Sequence, residues 1–408
     1  MLMNILIATV FPLPGGGIWS FVSNLSAYLV GQGHNVDILC TRDNNSKVVM
    51  LGTETVFDLS QYRSYVEKKL MRSVPHLARN PWVYHAELNR YIFEQGVTNL
   101  DMTKYDIIHA QDVISAVALS RVKPTGVPLI TSGHGFLTGA IFHQYKSLNT
   151  STMDQAIWNS FIIQYYARLE QVGYESSDFI HTSSRWMRGI IEKEFKIDTF
   201  KIHTYKYGVE LSHFKIDTPI QRQPAKKIIL VNSRLVYLKG LHNLIEALSF
   251  LRYRDKWECW ILGEGELEKS LKESCRKLGI EKNVLFWGNT SKVKEILYQS
   301  DMLVLPSLQE NQPFAVIEAQ LLGVPTIVSN AGGLPEMVEN NKNGFIIEKG
   351  NNRQLSEKIE YLLNNPAIRD QMSKYASQKG RELWDVNILG RNIVQLYSKA
   401  IQKKKRLW

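Results

Sequence analysis

Two carboxylates eight positions apart, Glu310 and Glu318, bracket Glu310-Asn-Gln-Pro-Phe-Ala-Val-Ile-Glu318. Pro313 suits a first helical turn, Asn311 suits a cap, and Gly323 with Pro325 supplies a stop, so the spacing predicts a helix from Pro313 to Leu322. Its amino end would present the N–H groups of Phe314, Ala315 and Val316 and a positive dipole end, which suits a diphosphate. Glu310 then lies in the preceding loop and Glu318 more than a turn into the helix. Carboxylates flanking an anion site make sense if they accept hydrogen bonds from hydroxyls on either side of it, a ribose on one side and a sugar on the other.

Cations of matching use stand in Asn232-Ser-Arg234-Leu-Val-Tyr-Leu-Lys239-Gly240, just after an apolar strand-like run. A guanidinium and an ammonium there can neutralise a diphosphate, the plain alternative being two solvated surface charges. Gly263-Glu-Gly265 follows the next run and reads as a backbone requirement. Gly15-Gly16-Gly17 falls between a first strand and a helix, but Trp19 and Ser20 break the dinucleotide fingerprint, so a plain tight turn stays open. Among ten histidines, His109 and His134 end successive strands, where residues of a parallel sheet are well placed for chemistry.

The elements that must position these groups alternate. Strands are expected at Ile5–Val10, Val36–Cys40, Ile107–His109, Leu129–Thr131 and Phe179–Thr182, with a helix from Ile18 to Val30 stopped by Gly31 and Gly33. The pattern restarts at Ile228–Asn232 and continues with Trp257–Leu262, Val284–Trp287, Met302–Leu305 and Thr326–Val328. This is the alternation of doubly wound α/β sheets. The polar stretch Asp217-Thr-Pro-Ile-Gln-Arg-Gln-Pro-Ala225 is the expected linker, which gives a first domain over residues 1–217, a second over 226–385 and a closing segment over 386–408. Ligand is expected in a cleft between the domains.

Composition permits this. A chain of 408 residues accommodates two domains of roughly 200 residues each. Apolar runs fall short of the ~20 residues of a spanning helix, and the start reads as a strand rather than a signal peptide. Cys40, Cys259 and Cys275 lack metal spacing and fit a reducing cytoplasm as small core residues. A net charge of +10 raises nucleic acid, yet the cations are dispersed and no nucleic-acid-binding motif is present, so no such partner is expected. The densest basic run, Lys403 to Arg406 before Leu407 and Trp408, is either a solvated end or a contact with an anionic membrane surface.

The ordered series Ser300-Asp301-Met-Leu-Val-Leu-Pro306-Ser307, Glu310 to Glu318, Gly323-Val-Pro325-Thr-Ile-Val-Ser329, Gly332-Gly333-Leu-Pro335-Glu336 and Asn343-Gly344-Phe-Ile-Ile resembles the donor-site signature of retaining nucleotide-sugar glycosyltransferases of the GT-B fold, glycosyltransferase family four, whose hallmark is Glu-x7-Glu. The likeness spans the second half fully and the first more thinly. It implies an α/β architecture of two Rossmann-like domains facing a central cleft, and a last helix that returns to the first domain across a hinge. It also implies transfer of a sugar from a nucleoside diphosphate sugar, UDP ahead of GDP, with retention and with neither cofactor nor metal.

By that resemblance His134 and Glu310 act on the sugar, while Arg234, Lys239, Phe314, Ala315 and Glu318 bind the donor nucleotide. Gly16 and Gly17 approach the phosphates, and His109 is a neighbouring cleft residue. The acceptor is a glycan or a lipid-linked sugar of cell-envelope polysaccharide or glycoconjugate synthesis, with aromatics from Phe136 to Tyr166 as candidates to shape its site. Work in the cytoplasm, at the inner face of the membrane, fits this reading. Two departures affect the donor sugar more than the reaction: Asn311-Gln312-Pro313 replaces a commoner Gly-Phe-Gly, and Tyr207-Gly208-Val209-Glu210 stands where Asn-Gly-Val-Asp is usual. A nucleotide-sugar epimerase or phosphorylase of the same fold, or a non-catalytic coat or scaffold protein, is the alternative. The oligomeric state is not legible.

Overall fold

The computed structural model describes residues 2–43, 45–149, 151–215 and 226–406. The expected linker Asp217–Ala225, like Leu407 and Trp408, lies outside the described residues. The chain forms two compact units, Met1–Gly208 with Val386–Trp408, and Val209–Asp385.

The first unit carries an eight-stranded sheet: β1 (Asn4–Pro12), β2 (Asn35–Arg42), β3 (Lys47–Met50), β4 (Val56–Asp58), β5 (Ile107–Ala110), β6 (Leu129–Gly133), β7 (Phe179–Thr182) and β8 (Ile202–Thr204), in the order β4-β3-β2-β1-β5-β6-β7-β8. Pairing is parallel except where β3 joins β2 and β4. Central strands such as β5 and β6 are buried at every position, the polar His109, Thr131 and Ser132 included. Helix α1 (Gly16–Gly31) buries Phe21, Val22, Leu25 and Leu29, one stripe at helical spacing. Helix α2 (Leu137–Leu148) is held at its amino end by Glu170 of α3 (Phe161–Glu175). That buried carboxylate accepts from the Leu137 and Thr138 N–H groups and from the Thr138 hydroxyl.

The second unit is built on β9 (Lys227–Asn232), β10 (Trp257–Leu262), β11 (Val284–Gly288), β12 (Met302–Leu305), β13 (Thr326–Ser329) and β14 (Gly344–Ile347), all parallel, in the order β11-β10-β9-β12-β13-β14. The order reverses between β9 and β12, the place where doubly wound sheets open a ligand crevice at their carboxyl ends. Helix α4 (Phe314–Leu321) follows β12 and is buried on nearly all sides, with Glu318 its one residue that is not fully buried. Gln320 anchors it, donating to the Met337 carbonyl and accepting from the Trp384 indole.

The closing helix α5 (Val386–Lys405) belongs to the first unit. It buries Leu389, Ile393, Leu396, Tyr397 and Ala400 and crosses α1 so closely that a Cβ on Gly390 would collide with the Tyr28 ring. Residues 209–215, assigned to the first domain from sequence, group instead with the second unit, because Val209 pairs with Asp385 and its N–H donates to the Trp384 carbonyl. The short strands β3, β4 and β8 escape the sequence pattern, having too few residues to establish a period. Strand β14 was legible only as part of the Asn343-Gly344-Phe-Ile-Ile series.

Candidate active site

Both loops at the β9/β12 crossover carry the expected groups. Arg234, exposed, follows β9; Lys239 ends the next turn; Glu310 stands in the loop after β12. Lys239 and Glu310 form an ion pair, both side chains largely buried, and the Ser307 hydroxyl donates to the same carboxylate oxygen at 3.4 Å. Backbone contacts fix the geometry. The Leu308 N–H donates to the Leu238 carbonyl at 2.8 Å, the Gly333 N–H donates to the Glu310 carbonyl at 2.9 Å, and Gly332, at φ 63°, sits where a Cβ would collide with Glu310. Gly263 and Gly265 pack equally close on the backbone of Ser233 and Leu235, which brackets Arg234. These glycines serve close approach, as read from the sequence.

Helix α4 starts one residue later than predicted. Pro313 is its N-cap rather than its first helical residue, and Asn311, buried two residues earlier, is not the cap. Proline offers no side-chain oxygen, so the cap makes no side-chain hydrogen bond. Val316 is also corrected as an anion donor, because its N–H donates to the Pro313 carbonyl at 3.1 Å. Phe314 and Ala315 open the helix as expected. Glu318 faces a desolvated setting that pushes its carboxyl up to about 7, against the opposing pull of the Lys294 ammonium. Lys294, fixed by donating to the His213 carbonyl, was not singled out from sequence; it carries no motif.

In the first unit Gly16 and Gly17 lie at the start of α1, exposed, with open space where a Cβ would go. Gly16 requires its glycine at φ 68°, whereas Gly17 has no positive φ. His134 follows β6 and packs edge-on against Phe21 at 4.8 Å between ring centroids. Its Nδ1 bonds the Tyr207 hydroxyl at 2.5 Å and its Nε2 meets Gln111 Oε1 at 3.0 Å. Burial, with His181 nearby, lowers its pKa to about 3, so the ring is neutral at pH 7.

His109 does not present a free nitrogen. It is fully buried and forms part of a chain of hydrogen bonds whose direction is set at one end. His181 Nε2 meets the Tyr205 carbonyl at 3.0 Å, and a carbonyl only accepts, so Nε2 carries the proton. Ser132 then donates to His181 Nδ1 at 2.9 Å and accepts from His109 Nε2 at 2.8 Å. Tyr397 of α5 donates to His109 Nδ1 at 2.7 Å. Burial, first among the causes for both rings, depresses His109 well below its usual value and His181 to about 4. His109 is thus an internal tie.

Aromatics expected near an acceptor largely stack on one another: Phe142 lies on Trp158 at 4.5 Å and Phe136 on the same ring at 6.4 Å, while Phe161 is exposed. The basic end is helical. Lys404 pairs with Asp178, Lys403 lies over Phe179 and Phe200, and only Lys405 and Arg406 of the four are exposed. Among the described residues no helix is long and apolar enough to cross a membrane.

Comparison with known proteins adds identity to this geometry. Glycosyltransferase Family 4 matches residues 15–213, and Glycosyl transferases group 1 matches residues 214–379. An uncharacterized glycosyltransferase of Methanocaldococcus jannaschii, MJ1607, is 24% identical over 407 residues, covering 96% of each chain. The N,N'-diacetylbacillosaminyl-diphospho-undecaprenol alpha-1,3-N-acetylgalactosaminyltransferase of Campylobacter jejuni is 29% identical over 236 residues, 54% of this chain and 59% of that one. Among solved structures, Anabaena HepE in complex with UDP-glucose has a TM-score of 0.67 at 19% identity, covering 97% of this chain and 100% of the other. The two family matches meet at residues 213 and 214 and leave little of the chain unclaimed, and the fold agrees with theirs: the chain belongs to the family 4 and group 1 glycosyltransferases of the GT-B class, enzymes that transfer sugars from nucleotide sugars.

Proposed function

We propose that this glycosyltransferase moves a sugar from a UDP-sugar, with retention, to a glycan or lipid-linked acceptor in cell-envelope polysaccharide or glycoconjugate synthesis. The observation that carries the reading is the convergence of Arg234, the Lys239–Glu310 pair and the start of α4 at the crossover of the second sheet. Negative charge grows on the departing diphosphate, and cations fixed beforehand stabilise it without reorganising. Lys239 is fixed in that sense by Glu310, whereas Arg234 is exposed. Glu310 takes the sugar hydroxyls and Glu318 the ribose. His134 and the glycine turn of the first unit are assigned to the transferred sugar.

Relatives support the substrate classes: the HepE structure contains UDP-glucose, and the Campylobacter enzyme's name specifies a diphospho-undecaprenol acceptor. Contact with an anionic membrane at the cytoplasmic face falls to the exposed Lys405 and Arg406.

Calorimetry with free UDP and GDP tests the donor site. Glu318→Ala is expected to weaken UDP binding by about 1.5–3 kcal/mol, the range for a hydrogen bond to a charged group. Ribose hydroxyls donate best to the ionised carboxylate. Wild-type affinity should therefore rise as pH climbs through about 7, and Glu318→Gln should lose that part of the pH dependence. Unchanged UDP affinity in a folded Glu318→Ala protein would remove the ribose assignment.

A further inference from the structure

Tyr207 occupies the position at which this chain departs from the usual Asn-Gly-Val-Asp, and its hydroxyl meets the histidine assigned to the sugar. Which way that hydrogen bond runs can be worked out from its far end. The Gln111 amide has two faces: its Nε2 donates to the His109 carbonyl at 3.1 Å, and that carbonyl has no proton to give. The amide orientation is thereby fixed, so Oε1 is the face turned to His134 at 3.0 Å. An amide oxygen only accepts; His134 Nε2 must carry the ring proton. The neutral ring then has a lone pair at Nδ1, and the Tyr207 O–H donates into it at 2.5 Å.

Packing holds the same geometry. Tyr207 is 5% exposed, and its ring lies 5.2 Å from Phe21, the side chain against which His134 itself packs. Swinging the hydroxyl away would require moving a buried ring in a filled interior.

We propose that Tyr207 is a positioning residue that locks His134 in the Nε2–H tautomer, so that the histidine serves the transferred sugar as a hydrogen-bond donor and never as a base. This rests on the assignment of His134 to the sugar made above. Gln111 and Tyr207 select the same tautomer in the free protein. They cease to be equivalent once a sugar oxygen takes the place of Gln111 Oε1 on Nε2, because a hydroxyl oxygen can either accept or donate. From then on the Tyr207 hydroxyl, donating to Nδ1, is what keeps the proton on Nε2. No bond to carbon or phosphorus is made by the ring, and no proton leaves it.

The test is Tyr207→Phe, which keeps the ring and removes the hydroxyl, read by ¹⁵N spectroscopy of the His134 imidazole, by donor-sugar turnover and by thermal melting. Wild type should show the proton on Nε2 alone. In Tyr207→Phe with UDP-sugar bound, the Nδ1–H form should appear, kcat should drop about tenfold, and the donor KM should hold within about twofold. A melting temperature within a few degrees of wild type separates this from misfolding, and Gln111→Leu should change the free-state spectrum more than the bound-state one. A proton on Nδ1 in wild type, or Tyr207→Phe turning over at the wild-type rate, would overturn the proposal and leave the transferase reading standing. A wild-type protein inert toward every nucleotide sugar, yet showing Nε2–H, would instead overturn the transferase reading and uphold the tautomer.

Discussion

At the carboxyl end of the first sheet the imidazoles and the Ser132 hydroxyl are neutral and already partnered, with His109, Ser132, His181 and His134 each engaged at 2.5–3.0 Å. At the same end of the second sheet Arg234, Lys239 and Glu310 bring formal charge, and Arg234 stands in water. Both sheets are doubly wound, so the contrast owes nothing to topology. On the proposed assignment of the site residues, it matches what each end has to do. Charges that must grip a diphosphate need accessible, strongly polar partners, whereas groups that aim a sugar need defined directions, which neutral hydrogen bonds in a filled interior supply.

That contrast should be widest in acid. His109, His134 and His181 are kept neutral by burial, so below their ordinary value near 6.5 the unfolded chain takes up protons that the folded first unit refuses, and stability falls as pH falls. Glu170 acts oppositely. Its carboxyl is pushed up to about 7 by burial, so acidification between 7 and the usual 4.5 stabilises the fold. His34 and His203, also lowered by burial, add to the loss, while Asp112, raised by burial, opposes it together with Glu170; with five histidines against two carboxyls, the first unit should lose stability as pH falls from about 6.5 toward 5. In the second unit His242, lowered by burial, is offset by Glu318, raised by it, so little net change is expected. Hydrogen exchange followed by unit, corrected for intrinsic rates, checks this; equal acid losses in both units would dissolve the contrast.

Next in size is the charged end itself. Lys239→Ala should lower turnover by about 10²–10³-fold, the cost of removing one preorganised group at a developing oxyanion. Melting of the second unit should fall as well, because removing the ammonium leaves the largely buried Glu310 carboxylate without its cation. A turnover loss below threefold would mean that Lys239 serves only to hold Glu310.

The smallest effect sharpens the reading of the glycine turn. Gly17→Ala places a methyl in open space on an unstrained backbone and should stabilise the protein by up to about 0.5 kcal/mol. Gly16→Ala, at φ 68°, should cost about 1 kcal/mol. If Gly17→Ala also reduces turnover while raising the melting temperature, its smallness serves the ligand. An unaffected turnover would return the motif to a plain turn.

The charged end was the more legible one, because its groups sit close in sequence: Arg234 and Lys239 within one turn, Glu310 and Glu318 within one motif. The neutral end is assembled from afar. His109 and Tyr397 are 288 positions apart, and Tyr207 lies 73 from His134, so no local pattern links them. Gln111 stands two positions from His109, but an amide carries no motif of its own; Tyr207 is visible only as a departure. Pro313 misled by one residue because proline fits either side of a helix start.

The return of α5 to the first unit also orders events on the ribosome. Residues 1–208 are made first, yet the hydroxyl that satisfies His109 and the glycine that fits against Tyr28 arrive with Tyr397 and Gly390. At ~5–20 residues per second the nascent first unit waits roughly 10–40 s with the α1 surface bare and one imidazole nitrogen unpaired. The second unit, contiguous from Val209 to Asp385, meets no such delay. The half made earlier is thus the half completed last.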